Sequence, residues 1–163
     1  MTRREAFWLV AALLAIHDAE EALAFPRYLP LVLARLQSIP RVTYQQMLAA
    51  LAVVTLVPVV VVAWAQARPA SRAALWAVLL IQTVMLVNVV SHVAVATFLL
   101  RGYGPGLATA LALNLPWSIY LLRRARREEW LGRGAFVALL PAALVVHGPL
   151  LVGLILLSRH VTR

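Results

Sequence analysis

Five apolar runs, each long enough for a helix that crosses a lipid bilayer, account for most of this 163-residue sequence. A transmembrane helix needs roughly 20 predominantly apolar residues. Hydrophobic residues make up 63% of the chain, whereas soluble domains are about half apolar. We therefore predict an all-α, polytopic membrane protein that forms one domain over residues 1–163. The predicted spans cover residues 6–25, 47–65, 72–100, 106–122 and 134–157.

Prolines mark where the predicted spans end or bend. Pro26 is expected to end the first span, because proline lacks the N–H group that continues a helix. The following stretch, residues 26–40, contains three prolines and two arginines among its leucines. It is too short and too charged to cross, so we expect an interfacial or re-entrant segment. Pro58 is expected to kink the second span.

The basic residues are all arginines, and they lie at the ends of the apolar runs. The formal net charge of +9 would suggest nucleic acid if these arginines formed a patch on a soluble surface. Their placement instead indicates membrane lipids as partners and no nucleic acid. More arginines lie on the side of the N-terminus, which favours a multi-pass protein of the cell inner (plasma) membrane with a cytoplasmic N-terminus.

Three of the six acidic residues lie in one string in the first span, His17-Asp18-Ala19-Glu20-Glu21. A charged side chain in hydrocarbon costs at least a few kcal/mol, so it needs a partner, a proton path or a metal ion. At about 100° per residue, His17, Glu20 and Glu21 share one helix face, whereas Asp18 points elsewhere. The alternative is that the carboxylates lie at the helix end and reach water at the interface.

Polar residues on the other spans lie at a similar depth, estimated from a helical rise of about 1.5 Å per residue. Asn88 and His92 are one turn apart on the third span, and His147 lies on the fifth. Asn114 and Trp117 lie on the fourth span. We therefore expect these residues to meet the string of the first span in one layer of the membrane.

Because the chain contains no cysteine, any metal ion must be bound by nitrogen and oxygen ligands. Imidazole and carboxylate suit a divalent ion such as zinc or iron. We expect Glu20 to point at the other histidines and Glu21 to lie nearer the interface, so Glu20→Gln should be the more damaging change. The predicted metal ligands are His17, Glu20, Glu21, His92 and His147, the predicted catalytic residues are Glu20, Glu21 and Asn88, and the predicted substrate-pocket residues are Asn114 and Trp117.

The string at residues 17–21, followed by Asn88, His92 and His147, resembles the bacterial family of integral membrane proteins named for its HXXEE motif. The resemblance extends over nearly the whole chain. The family is uncharacterised, so the resemblance supports the choice of residues and implies no reaction.

Three functions are compatible with these residues. The first is a metal-dependent membrane enzyme that acts on a lipid or isoprenoid, a hydrophobic small-molecule substrate. The second is a metal-free isomerase or cyclase of a sterol-like or isoprenoid substrate, in which a buried glutamic acid protonates an alkene. The third is a proton- or metal-coupled carrier, which at this size would need to form a homodimer.

Overall fold

The computed structural model describes residues 1–35 and 42–160. This part of the chain is helical and contains no strand, so the prediction of an all-α fold is confirmed. Five helices, α1 to α5, follow one another along the chain. They cover Arg3–Arg35, Tyr44–Ala67, Arg72–Leu100, residues 107–127 and Arg133–Leu157, and a short 3-10 turn, Ser158–His160, follows the last.

Three of the five helices, α2, α3 and α5, are long and apolar enough to cross a membrane. The charged residues of α1 and α4 explain why these two helices do not meet the same criterion. The predicted first span contains three carboxylates, and α4 ends in four arginines within its last five residues. Five helices match the predicted number of spans, and the polar face of α1 must be buried against its neighbours.

The first helix does not end at Pro26, and this corrects the expected boundary. It continues through Pro26 and Pro30 to Arg35, while residues 36–41 lie outside the described part of the chain. Pro26 cannot donate to the carbonyl four residues earlier, on Ala22. The hydroxyl of Tyr44 on α2 donates to that carbonyl instead, at 3.1 Å. The neighbouring helix thus supplies the hydrogen bond that proline removes.

The third helix lies at the centre of the bundle and contacts all four others. Its first turn is capped by the hydroxyl of Ser71, which accepts from the N–H of Ala74. Val78, Leu79 and Met85 on this helix are almost completely buried. The central position of α3 brings any polar residue near its end into contact with several helices at once.

Three helices change from α- to π-helical winding at corresponding places. The π-helical segments are Val95–Leu100 in α3, Ala110–Asn114 in α4 and Val146–Leu150 in α5. Such wide turns are rare, and they occur frequently at functional sites. The segment in α3 begins shortly after His92, the segment in α4 begins directly after Thr109, and the segment in α5 contains His147. The irregular backbone of the bundle therefore lies around the predicted polar layer.

Candidate metal centre

Two histidines and one glutamate from α1 and α3 converge inside the bundle. The Nε2 atoms of His17 and His92 lie 3.1 Å apart. A carboxylate oxygen of Glu21 lies 3.2 Å from Nε2 of His92 and 4.0 Å from Nε2 of His17. His17 is completely buried, and the side chains of the other two residues are mostly buried. These three residues could hold a metal ion.

The spacing of the three ligand atoms is close to that of a shared ion. Ligand atoms around a tetrahedral zinc ion lie about 3.3 Å apart, because each Zn–N bond is about 2.0 Å long. The ligand atoms of His17, Glu21 and His92 all lie within 4.8 Å of one another. Two imidazoles and one carboxylate are also the protein ligands of several zinc hydrolases and non-haem iron oxygenases. Such a set leaves coordination positions open.

The other ring nitrogen of His17 is held by α4. Its Nδ1 lies 2.8 Å from the hydroxyl oxygen of Thr109, and that hydroxyl donates to the carbonyl of Gly106 at 3.3 Å. Because the Thr109 proton is directed at Gly106, its oxygen accepts from the Nδ1–H of His17. This arrangement leaves Nε2 of His17 without a proton, as a metal ligand requires.

The side chain of Asn88 completes the surroundings of His17. Its Nδ2 lies 2.8 Å from Nε2 of His17. Asn88 precedes His92 by one helical turn on α3. The amide can therefore contact the same point as the two imidazoles. Asn88 therefore lies beside the candidate ligand His17, which agrees with the expectation that the two residues meet.

The neighbouring glutamate, Glu20, is directed at α4 instead of at His92. Its carboxylate accepts from the backbone N–H groups of Ala108 at 3.1 Å and Thr109 at 2.7 Å. These N–H groups belong to the first turn of α4, where no helical carbonyl is available to them. The hydroxyl of Tyr103 also donates to Glu20, and this hydrogen bond raises the pKa of Tyr103 to about 12. The expectation that Glu20 faces His92 is wrong, because Glu21 takes that position.

Gly106 closes the centre on the side of the loop between α3 and α4. Its φ of 75° lies in the left-handed region that glycine tolerates. A Cβ atom there would lie 2.7 Å from Cε1 of His17 and 2.8 Å from Cε1 of His92. The Cγ of Glu21 would be 3.0 Å away. Only glycine lets the backbone approach all three residues this closely.

His147 lies outside the group of three. Its Nε2 is 3.0 Å from the hydroxyl oxygen of Ser91, the residue that precedes His92 on α3. The π-helical segment of α5 carries His147 to this position. His147 thus lies beside the centre, and its imidazole is hydrogen-bonded to Ser91.

The predicted pocket residues on α4 differ in burial, because Asn114 is buried and Trp117 is only partly buried. Asn114 is completely buried, and among the described residues neither polar atom of its side chain has a hydrogen-bond partner. The indole N–H of Trp117 is also buried without a partner in that part of the chain. These atoms therefore form no hydrogen bond with His17, Glu21 or His92. On the other face of α1, Asp18 accepts from the hydroxyl of Thr55 on α2 at 2.5 Å.

Sequence reasoning missed Thr109 and Tyr103. Both residues act through hydrogen bonds to the HXXEE string that depend on how the loop 101–106 folds. A usable signal was present for Thr109, because it is a polar residue in the first turn of a span that starts at the same end as Glu20. Tyr103 carries no such signal, since aromatic residues are common next to the ends of long apolar runs.

Comparison with known proteins identifies the family of this chain. A family model, described as "Protein of unknown function with HXXEE motif", matches residues 8–121. The comparisons with curated proteins and with solved structures give no match. The matched range covers more than half of the chain and includes His17, Glu21 and His92. This protein therefore belongs to the family of proteins of unknown function with an HXXEE motif.

Proposed function

We propose that this protein is a metal-dependent membrane enzyme whose ion is bound by His17, Glu21 and His92. The observation that carries the proposal is the approach of the two imidazole Nε2 atoms to 3.1 Å, with a carboxylate oxygen of Glu21 at 3.2 Å from one of them. At this distance either one Nε2 atom donates a proton to the other, or a cation lies between the two atoms. A carboxylate beside them favours a cation.

The residues around the ion would have different roles. His17 is held in one tautomer by Thr109, and Glu20 holds the turn that carries Thr109. Asn88 orients a ligand or hydrogen-bonds the substrate. Bound there, zinc or iron would supply a Lewis acid and an open position for water or substrate. Three protein ligands are the number that leaves such a position free.

A lipid or isoprenoid is the substrate class that this location favours. The centre lies among helices whose outward faces carry leucine, valine and phenylalanine, and three of the five helices are apolar enough to cross a membrane. An apolar substrate can reach such a site from the bilayer without crossing water. His92 and Glu21 keep 13% and 15% of their side-chain surface exposed, so the centre has an opening.

Metal-free acid–base catalysis is the second candidate, and the same contacts favour it. Glu21, His92, His17 and Thr109 follow one another at 3.2, 3.1 and 2.8 Å. A chain of this kind can carry a proton from a carboxylic acid to a buried imidazole. Isomerisation or cyclisation of an isoprenoid would use it without an ion.

Metal content distinguishes the two candidates. We expect wild-type protein, purified in mild detergent without chelator, to contain about one zinc or iron ion per chain by elemental analysis. His92→Ala should lose the ion, because a single imidazole and a carboxylate bind it far more weakly. His160→Ala is the matched control, since His160 is exposed in the 3-10 turn that follows α5.

The measurement also shows how the proposal would fail. Wild-type protein that contains no divalent ion, and takes up none when zinc or iron(II) is added, would overturn the metal-dependent enzyme. The acid–base mechanism would then be preferred. Equal metal content in wild type and His92→Ala would place the ion elsewhere and would also contradict the proposal.

A further inference from the structure

We propose that the end of the bundle that carries the N-terminus holds a binding site for the phosphate group of an anionic phospholipid. A cavity of about 150 Å³ lies there, between the start of α1, the end of α2 and the start of α3. Three arginines and an apolar floor line it. The arginines are Arg3, Arg4 and Arg68, and the floor consists of Phe7, Ala65 and Leu75.

Among the described residues, Arg4 and Arg68 of this cavity form no ion pair with a carboxylate. Within residues 1–35 and 42–160, the ion pair between an arginine and a carboxylate is that of Arg124 with Glu128, at 2.7 Å. Arg3 instead stacks over the ring of Trp130, with its guanidinium carbon 5.4 Å from the ring centre. Arg4 and Arg68 are exposed at the cavity. Guanidinium groups in this state bind phosphate through paired N–H donors.

The backbone around the cavity is rigid enough to keep the arginines together. The side chain of Gln66 on α2 donates to the carbonyl of Arg4 on α1 at 3.1 Å. The N–H of Ser71 donates to the carbonyl of Arg68 at 2.9 Å and so fixes the turn between α2 and α3. These hydrogen bonds therefore hold together the backbone segments that carry the three arginines around one cavity.

The mixed lining favours a phospholipid over a free anion. A phosphodiester would contact Arg4 and Arg68, and the glycerol and upper acyl carbons would cover Leu75, the partly exposed member of the floor. Free phosphate would leave Leu75 in contact with water. A guanidinium group that pairs with a phosphate forms strong, charge-assisted hydrogen bonds, so the loss of two such groups should weaken binding by at least tenfold.

Native mass spectrometry of the detergent-purified protein tests this site. We expect phosphatidylglycerol to bind wild-type protein more tightly than phosphatidylcholine. In the double variant Arg4→Gln/Arg68→Gln, this preference should fall at least tenfold. The control is Arg126→Gln/Arg127→Gln, which removes the same charge from exposed positions at the same end of the bundle. The control should keep the wild-type preference.

Two further measurements make each outcome decisive. Unchanged thermal unfolding in detergent shows that the double glutamine variant is folded. If that variant does not fold, Arg4→Lys/Arg68→Lys, which keeps the charge, is measured in its place. An equal loss in both glutamine variants would assign lipid binding to net charge alone and overturn the site. Tight binding of inorganic phosphate, lost only with Arg4 and Arg68, would identify a free anion as the ligand and also overturn the proposal.

Discussion

A carboxylate oxygen of Glu21 lies 3.2 Å from Nε2 of His92, and this contact separates the roles of two adjacent glutamates. Glu20, one residue earlier on α1, accepts from two N–H groups at the start of α4. One carboxylate therefore belongs to the group that could hold a metal ion, whereas the other holds the helix that orients His17. The difference arises because consecutive helical side chains point about 100° apart.

Glu21→Gln should abolish metal binding, and Glu20→Gln should weaken it by about 10- to 100-fold. The first change removes a charged ligand. The second removes one acceptor for the N–H groups of α4 and leaves the ligands in place. Elemental analysis and zinc titration of the two purified variants measure the difference. A larger loss in Glu20→Gln than in Glu21→Gln would show that the assignment of the two roles is reversed.

Thr109→Val should lower metal affinity by about 10- to 100-fold, because valine keeps the shape of threonine but cannot accept from Nδ1 of His17. Thr109→Ser keeps the hydroxyl and should retain most of the affinity. The same zinc titration compares the two. If the serine and valine variants bind equally, the hydrogen bond to His17 has no part in the centre.

Gly106→Ala should destabilise the protein by about 1–3 kcal/mol and disturb the metal centre. The added Cβ would lie 2.7 Å from His17, at a φ of 75° that alanine adopts only with strain. Gly134→Ala is the control, because nothing lies within 4 Å of the added atom in the first turn of α5. Thermal unfolding in detergent should show a lower midpoint for the first variant alone. Equal midpoints would mean that the loop moves to accept the methyl group.

Tyr44→Phe should cost about 1 kcal/mol, because it removes the donor that satisfies the Ala22 carbonyl. In a Pro26→Ala background the same substitution should cost much less, since residue 26 then supplies the helical N–H itself. A double-mutant cycle based on the free energy of unfolding measures this coupling. Additive effects of the two substitutions would contradict the inference that the Tyr44 hydroxyl replaces the N–H group missing at Pro26.

Reporter fusions at the two ends should report from opposite compartments, because five helices that each cross the membrane leave the termini on opposite sides. The excess of arginines on the side of the N-terminus predicts that this end is cytoplasmic. Signals from the same compartment would mean that α1 or α4 does not cross. These two helices lie outside the three that meet the length and composition of a membrane span.

The sequence by itself determined the helical fold and the helices that are long and apolar enough to cross a membrane. Long apolar runs leave a chain no other way to satisfy its backbone in lipid, so the number of helices and the bounds of α3 followed from the pattern alone. The shared helix face of His17 and Glu21 followed from helical geometry, and the one-turn spacing of Asn88 and His92 followed in the same way.

Only the tertiary structure decided which of these residues meet. Helical periodicity places Glu20 and Glu21 equally well, and the choice between them depends on the N–H groups of α4 that capture Glu20. The continuation of α1 past Pro26 depends on Tyr44, which is far away in the sequence. Contacts between helices have no local signature, because they depend on how each helix is rotated and displaced against its neighbours. For this reason the HXXEE string predicted the location of the centre, and packing selected His17, Glu21 and His92 from the candidates.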